Sequence, residues 1–190
     1  GAWSVAACVR FFEKAAKHHA VRVHADQFTS LGMTPEAIRI NARSVDHLEA
    51  ATKNDLLLLA QSRTIGVIMP ATGFQTDGRY TKAGFLVDAG GAVALASNCN
   101  PGTAPTHSLP FVIALAVRFC GLTPAEAIAA STVNAAAVLG LTDRGTIAVG
   151  QRADLILLCH KDERQLAYEL GGNPVASVIG GGQIVGQATP

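Results

Sequence analysis

The sequence predicts an α/β fold assembled from repeated strand–helix units. Short apolar segments typical of strands start near residues 21, 44, 65 and 92. They lie roughly 21 to 27 residues apart with a helical pattern in each interval, and this spacing indicates a parallel sheet. From Gly145 onward, short β segments separated by glycines replace the helices. We therefore expect half of an eightfold TIM-type (β/α)8 barrel, which takes about 250 residues when complete, followed by a smaller β unit.

The first elements are predicted from periodicity and from helix-start signals. Apolar residues at spacings of three and four predict an amphipathic helix over 1–19. Alternation of apolar and polar residues predicts a strand over 21–25. Thr34 is followed by Pro35 and an acidic residue, a combination that predicts a helix start with Thr34 as the N-cap.

The same criteria define the rest of the chain. We expect strands at 44–48, 65–69 and 92–97, helices at 49–62 and 81–89, a loop at 71–80, and two alanine-rich helices after residue 103. Thr123 and Glu126 form a capping box that starts the second of these two helices. Short β segments are expected at 146–149, 153–159, 175–179 and 183–185. A boundary near 143–145 then separates a half-barrel over 1–143 from a β unit over 144–190.

The composition excludes several classes of protein. Hydrophobic residues make up 49% of the chain and charged residues 15%, which excludes intrinsic disorder. The net charge of +1 gives no long-range field for nucleic acid or anionic lipid, so we expect neither partner. Apolar runs are too short to span a bilayer. The sequence does not start with the basic segment and following apolar segment that are typical of a secretion signal. Four cysteines without a CxxC pair predict reduced thiols in the cytoplasm.

Three polar residues lie at or just past the carboxyl ends of predicted strands: His24, His47 and Asn98. Reactive side chains of parallel α/β sheets gather at this edge. One imidazole can hold a metal ion, a second can polarise the reacting group, and an oxygen-bearing side chain can handle water. The pattern therefore indicates a metal-dependent hydrolase. Asp46 is a candidate for orienting His47.

The local sequence around these residues resembles a known enzyme family. The segments 23–27 (Val-His-Ala-Asp-Gln), 44–49 (Ser-Val-Asp-His-Leu-Glu) and 96–103 (Ala-Ser-Asn-Cys-Asn-Pro-Gly-Thr) are similar to those of the imidazolonepropionase family within the amidohydrolase superfamily. The tail at 145–155 resembles a superfamily signature whose chain returns to a small β-sandwich beside the barrel. The resemblance covers essentially the whole chain but only the C-terminal half of the family's length.

The resemblance implies an activity and its cofactor. The family hydrolyses the ring of 4-imidazolone-5-propanoate to N-formimidoyl-L-glutamate in histidine degradation, with one zinc or iron ion, as a cytoplasmic homodimer. His24 would be a metal ligand and His47 the catalytic histidine. Gln27 stands where the family places a substrate-binding Glu. Three residues match the loop that binds the substrate: Asn100, Gly102 and Thr103.

Asn98 departs from the family, which has Asp there as metal ligand and catalytic base. An amide has no basic site at neutral pH, and general-base catalysis is worth about 10²–10⁴ in rate. A His-x-His pair from the family's first strand has no counterpart in this sequence. The chain also starts at Gly1 rather than Met, so we expect either a missing N-terminal half or a dimer that closes the barrel. Impaired turnover is therefore expected.

Two alternatives remain at this point. The first is another hydrolase or deaminase of the amidohydrolase superfamily that acts on a different cyclic amide, although segment 96–103 favours imidazolonepropionase. The second is a non-catalytic half-barrel that binds without turnover, which Asn98, Gln27 and the missing His-x-His pair would allow.

Overall fold

A four-stranded parallel sheet forms the centre of the fold. The computed structural model describes residues 3–187, so the first two residues of the predicted N-terminal helix lie outside the described part. The strands are β1 (Arg22–Ala25), β2 (Ser44–His47), β3 (Ile65–Ile68) and β4 (Val93–Leu95), and they pair in sequential order. All four predicted strands of the half-barrel are confirmed. Within residues 3–187, β1 and β4 are the edges of the sheet, because each pairs with one strand only.

Helices connect and cover these strands. They are α1 (Val5–Ala16), α2 (Met33–Arg39), α3 (Lys53–Ala60), α4 (Pro70–Gln75), α5 (Ala83–Asp88), α6 (Leu109–Phe119), α7 (Pro124–Ser131), α8 (Val133–Leu139) and α9 (Gln165–Tyr168). Within residues 3–187, none of the helices is both long enough and apolar enough to cross a membrane.

Helix α4 corrects the predicted loop at 71–80. Pro70 occupies the first turn of α4, where its missing N–H costs nothing, so it begins a helix instead of only ending a strand. Gly73 lies in this helix and packs against the chain that returns after it, since a Cβ there would overlap the carbonyl oxygen of Arg79.

The start of α2 also differs from the prediction. Gly32, in the left-handed conformation, is the N-cap, and Thr34 lies inside the first turn. Thr34 is fully buried, and its hydroxyl donates to Oδ2 of Asp26 at 2.6 Å. The threonine is therefore used for a tertiary hydrogen bond between α2 and the end of β1. The predicted capping box of Thr123 and Glu126 is confirmed at α7.

Both faces of the sheet are buried in part, as expected for strands of a barrel. Ile68 and the buried valines of β1 and β2 join the large core with the helices. Val67, next to Ile68, points to the opposite face because side chains alternate along a strand, and there it packs with Ala94 and Val138. Helix α8 thus covers part of the inner face, and Nδ2 of Asn134 in α8 donates to the carbonyl of Val93 at 2.8 Å.

A second sheet follows near the C-terminus. Its strands, β5 (Leu155–Leu158), β6 (Val175–Gly180) and β7 (Gln183–Gln187), are antiparallel in the order β5-β6-β7. The predicted strand at 146–149 is wrong: this segment is irregular, and Ile147 and Val149 are almost fully exposed. The domain boundary near 143–145 stays a prediction.

Candidate active site

The predicted histidines meet at the carboxyl edge of the sheet. The register of β1 and β2 places His24 opposite Asp46 and Ala25 opposite His47. The two imidazole rings lie edge to face with their centroids 5.0 Å apart. Two residues from consecutive βα units therefore form one cluster, as the strand-end argument predicts.

His24 is the solvent-exposed member of this cluster, with 61% of its side chain exposed. Its Nε2 lies 3.5 Å from Oδ2 of Asp46. Partial burial of the ring lowers the pKa of His24 below its usual value, and the Asp46 carboxylate opposes that change. A lowered pKa keeps the imidazole neutral at neutral pH, and a neutral imidazole is the form that can act as a ligand or hydrogen-bond acceptor.

Asp46 is buried and is held on the barrel-facing side of β1 and β2. Its Oδ1 accepts from the Ser44 hydroxyl at 2.6 Å, and its Oδ2 accepts from Nη2 of Arg22 at 3.0 Å. Nε of Arg22 also donates to the Ser44 hydroxyl at 3.1 Å. The hypothesis that Asp46 orients His47 is wrong, because this carboxylate is bound to Arg22 and Ser44 and lies next to His24.

Glu49 is the carboxylate that contacts His47. Its Oε1 lies 3.2 Å from Nδ1 of His47, and the two side chains are 5% and 4% exposed. The backbone of His47 is fixed separately, since the Thr81 hydroxyl donates to its carbonyl at 2.8 Å. Sequence reasoning missed Glu49 because it counted this residue as the first of the following helix. The available signal was its position as the only other acidic residue in segment 44–49 besides Asp46.

Left-handed backbone conformations occur at three strand ends of the half-barrel. Asp26 follows β1 with φ of 55°, His47 and Leu48 at the end of β2 have φ of 89° and 72°, and Asn98 lies beyond β4 with 53°. Non-glycine residues adopt this region at a cost, and such residues persist where the surroundings hold them. The backbone at this edge is therefore shaped by its tertiary contacts.

Asn98 is bound through its amide nitrogen. Nδ2 lies 2.9 Å from the Thr72 hydroxyl and 3.4 Å from the Thr103 hydroxyl. Asn98 thus connects the end of β4 to α4, which follows β3. Only its Oδ1 is left as a possible ligand atom, since an amide nitrogen bearing two hydrogens does not bind a metal.

Asn100 organises the loop that follows. Its Oδ1 accepts from the backbone N–H groups of Gly102 and Thr103 at 2.9 and 2.8 Å, and its Nδ2 donates to the carbonyl of Asn98 at 2.6 Å. The sequence suggested that such N–H groups point at a substrate carboxylate, but in the structure these two serve the loop itself. A substrate contact by the side chains of this loop stays a prediction.

The structure brings the predicted site residues together in two groups. His24 and His47 form one, and the loop residues Asn98, Asn100 and Thr103 form the other; in the described part of the chain, hydrogen bonds do not join them directly. Gln27 lies half-buried two residues beyond β1.

The metal that the family resemblance implies does not fit this chain by itself. A catalytic zinc site takes three protein ligands as a rule. The candidates here are one imidazole, on His24, and one amide oxygen, on Asn98. Among residues 3–187, groups of three or more His, Cys, Asp or Glu that could hold a metal ion do not occur.

Sequence comparisons identify the family. The model of the amidohydrolase family matches residues 14–185. A protein of Herpetosiphon aurantiacus named imidazolonepropionase is 46% identical over 188 residues, which cover 97% of this chain and 44% of that protein. A protein of Deinococcus deserti with the same name is 49% identical over 166 residues, which cover 86% of this chain and 42% of that protein. The chain spans less than half the length of these relatives.

Solved structures agree with the fold. A triazine hydrolase variant matches with a TM-score of 0.79 at 15% identity, over 94% of this chain and 46% of that one. An adenosine deaminase from Xanthomonas campestris with bound zinc matches with a TM-score of 0.76 at 19% identity, over 95% and 48%. These are amidohydrolase barrel proteins matched over about half their chains, which confirms the predicted half-barrel. Because sequence and fold point to one group over most of these 190 residues, the chain belongs to the amidohydrolase family.

Proposed function

We propose that the chain is part of a hydrolase that opens the ring of 4-imidazolone-5-propanoate to give N-formimidoyl-L-glutamate. The observation that carries this proposal is the pairing of His24 and His47 at the carboxyl edge of the sheet. The relatives named imidazolonepropionase, which are 46% and 49% identical, support this substrate over other cyclic amides.

Each candidate residue of this chain would have a separate role toward such a substrate. Water adds across the ring C–N bond, so the carbonyl carbon gains a hydroxyl and the ring nitrogen gains a proton. His47, with a hydrogen on the ring nitrogen that faces the substrate, would donate a hydrogen bond to the carbonyl oxygen, where negative charge develops as the water oxygen adds to the carbonyl carbon. Gln27 would hydrogen-bond the ring. The binding site of the propionate group would be lined by the side chains of Asn100 and Thr103 and by the backbone at Gly102.

A zinc or iron ion would need further ligands from outside these 190 residues. The chain would contribute His24 and the Oδ1 atom of Asn98, and a metal ion would supply activation of water when bound. We further propose that the intact protein is a homodimer in the cytoplasm. The four free cysteines of the chain support a reducing compartment.

We expect this chain on its own to give no appreciable turnover. Asn98 has no basic atom for a proton from water, and the chain lacks a full set of metal ligands among its described residues. The loss of a general base alone accounts for a factor of about 10²–10⁴.

The test compares the 190-residue chain with the product of the complete reading frame that contains it. Both are mixed with 4-imidazolone-5-propanoate, and the loss of its ultraviolet absorbance is followed. The proposal expects consumption by the longer protein and none by the chain. Normal rates from the pure chain would contradict the expected impairment, and no consumption by either protein would contradict the proposed hydrolysis. A panel of other cyclic amides and aminopyrimidines then tests the neighbouring hydrolase and deaminase activities.

A second candidate function is binding without hydrolysis. It is favoured by the amide of Asn98, which is held by Thr72 in a place where the family has a carboxylate. Calorimetric titration of the longer protein with the substrate separates the two. Heat of binding without loss of absorbance supports the binding function, and turnover excludes it.

A further inference from the structure

We propose that Glu49 is a positioning residue that fixes the tautomer and direction of the His47 imidazole. This inference rests on the proposed function, in which His47 contacts the reacting carbonyl. Its basis is the pair formed by Oε1 of Glu49 and Nδ1 of His47 at 3.2 Å, with both side chains at least nine-tenths buried.

The contact selects one form of the ring. An ionised carboxylate can only accept hydrogen bonds, so Nδ1 of His47 must carry a hydrogen to complete the pair. In the neutral imidazole the lone pair then lies on Nε2, at the far side of the ring from Glu49. Nε2 is therefore the nitrogen that is presented to a substrate. It can accept a hydrogen bond from water while it is unprotonated, and it can donate to the carbonyl oxygen only after it has gained a proton. In many enzyme histidines, the hydrogen bond made by one ring nitrogen determines in this way whether the other nitrogen carries a hydrogen.

Among the described residues, Glu49 is the hydrogen-bond partner of the His47 ring, and the His24 ring packs against it edge to face. The main chain of His47 is held by the Thr81 hydroxyl, which donates to the His47 carbonyl at 2.8 Å, and φ of His47 is 89°. The side-chain torsions still need a partner to choose among staggered positions. Asp46, the neighbouring carboxylate, accepts from Arg22 and Ser44.

The burial of Glu49 argues against a purely structural role. Within residues 3–187 its Oε2 is buried and has no hydrogen-bond partner. An unsatisfied buried acceptor is destabilising, so packing alone would favour an apolar side chain at this position. The carboxylate is explained by the bond that Oε1 makes to His47.

The experiment uses the product of the complete reading frame, labelled with ¹⁵N-histidine, and long-range proton–nitrogen spectra that distinguish the two tautomers. The His47 signals are assigned with His47→Gln. We expect a single Nδ1–H tautomer in the unsubstituted protein and a mixture of tautomers in Glu49→Gln, whose amide can donate as well as accept. Glu49→Asp keeps a carboxylate and should recover part of the preference. Asp55→Asn is the matched control, because Asp55 is also buried but serves the capping box of α3.

Kinetics provide the second readout. With the substrate assay, Glu49→Gln should lower kcat by about 10–100-fold and leave KM within about twofold, as loss of a supporting hydrogen bond does. Unchanged tautomer signals in Glu49→Gln would overturn the proposal, as would a kcat equal to that of the unsubstituted protein. If Glu49→Gln does not fold, Glu49→Asp decides by the same two readouts. If the unsubstituted protein consumes no substrate, the proposed function fails and the spectra still decide the role of Glu49.

Discussion

The amide nitrogen of Asn98 lies 2.9 Å from the hydroxyl of Thr72, and this hydrogen bond connects the end of β4 with α4. Thr72 is buried, and its own carbonyl accepts from the Thr76 hydroxyl at 2.8 Å. A hydroxyl can reverse its role from acceptor to donor by rotation. The pocket around residue 98 can therefore hold either an amide or a carboxylate without loss of this contact.

Asn98→Asp should raise the hydrolysis rate of the longer protein by about 10²–10⁴, because it supplies the missing basic oxygen. The left-handed backbone at residue 98, with φ of 53°, suits Asp as it suits Asn. Loss of substrate absorbance is the measurement. Asn98→Ser is the control, since serine can still hydrogen-bond but offers no base. An Asn98→Asp variant that folds, binds substrate and stays as slow as the parent would refute the assignment of this position.

Asn100→Ala should lower the free energy of unfolding by about 1–3 kcal/mol, because the N–H groups of Gly102 and Thr103 lose their shared acceptor. Asn100→Asp keeps that acceptor and loses the donors to the Asn98 carbonyl and the Thr103 hydroxyl, so a smaller loss is expected. Urea denaturation followed by circular dichroism measures both. Equal stability of all three proteins would show that the loop is held by other contacts.

The four cysteines should differ in reactivity with a thiol-specific reagent at about pH 8. Burial raises the pKa of the Cys120 thiol to about 12, so almost no thiolate is present there at that pH. Cys99 and Cys159 are exposed and should react at once, whereas Cys120 should react only after addition of denaturant. Counting of released chromophore over time, with mass mapping of the labelled peptides, tests this order. Rapid labelling of Cys120 in the native protein would contradict its burial.

Gly73→Ala should destabilise the fold by about 1–3 kcal/mol, because the added methyl group meets the carbonyl oxygen of Arg79. Gly102→Ala is the matched comparison. A Cβ at Gly102 meets only Oδ1 of Asn100 at 3.4 Å, so stability should change little. Thermal unfolding of the two variants provides the measurement, and a larger loss for Gly102→Ala than for Gly73→Ala would reverse the expectation.

The strands of the half-barrel were predictable because burial and side-chain alternation act on short, local segments. The strand-end location of His24, His47 and Asn98 followed from the same pattern. Helix α4 was not predictable in this way, since Pro70 signals a strand end and a helix start equally well. The segment at 146–149 has strand-forming residues, yet Ile147 is 90% exposed and pairs with no strand in the described chain, so propensity alone was misleading.

The partners of the site residues were the least predictable feature. The sequence around Thr34 predicts an N-cap. In the structure the Thr34 hydroxyl instead donates to Asp26, which is eight residues earlier in the chain and becomes adjacent only after folding. Asp46 precedes His47 directly, but its carboxylate accepts hydrogen bonds from Arg22 and Ser44, and these partners come from the neighbouring strand and from two residues earlier in the same strand. Glu49 reaches the ring because the chain turns after β2 through left-handed residues, and sequence periodicity does not show such a turn.

The sequential order of the four parallel strands has a consequence for folding. Each strand pairs with the one that precedes it in the chain, so the sheet can grow in the order of synthesis, one strand–helix unit at a time. Each pairing closes a loop of one strand–helix unit, so the four strands form the sheet without pairing between strands that are distant in the sequence order. A longer-range step comes later, when Nη2 of Arg118 in α6 donates to the carbonyl of Tyr168 at 2.8 Å and secures α9. Pairing of the four strands can therefore precede the docking of α9.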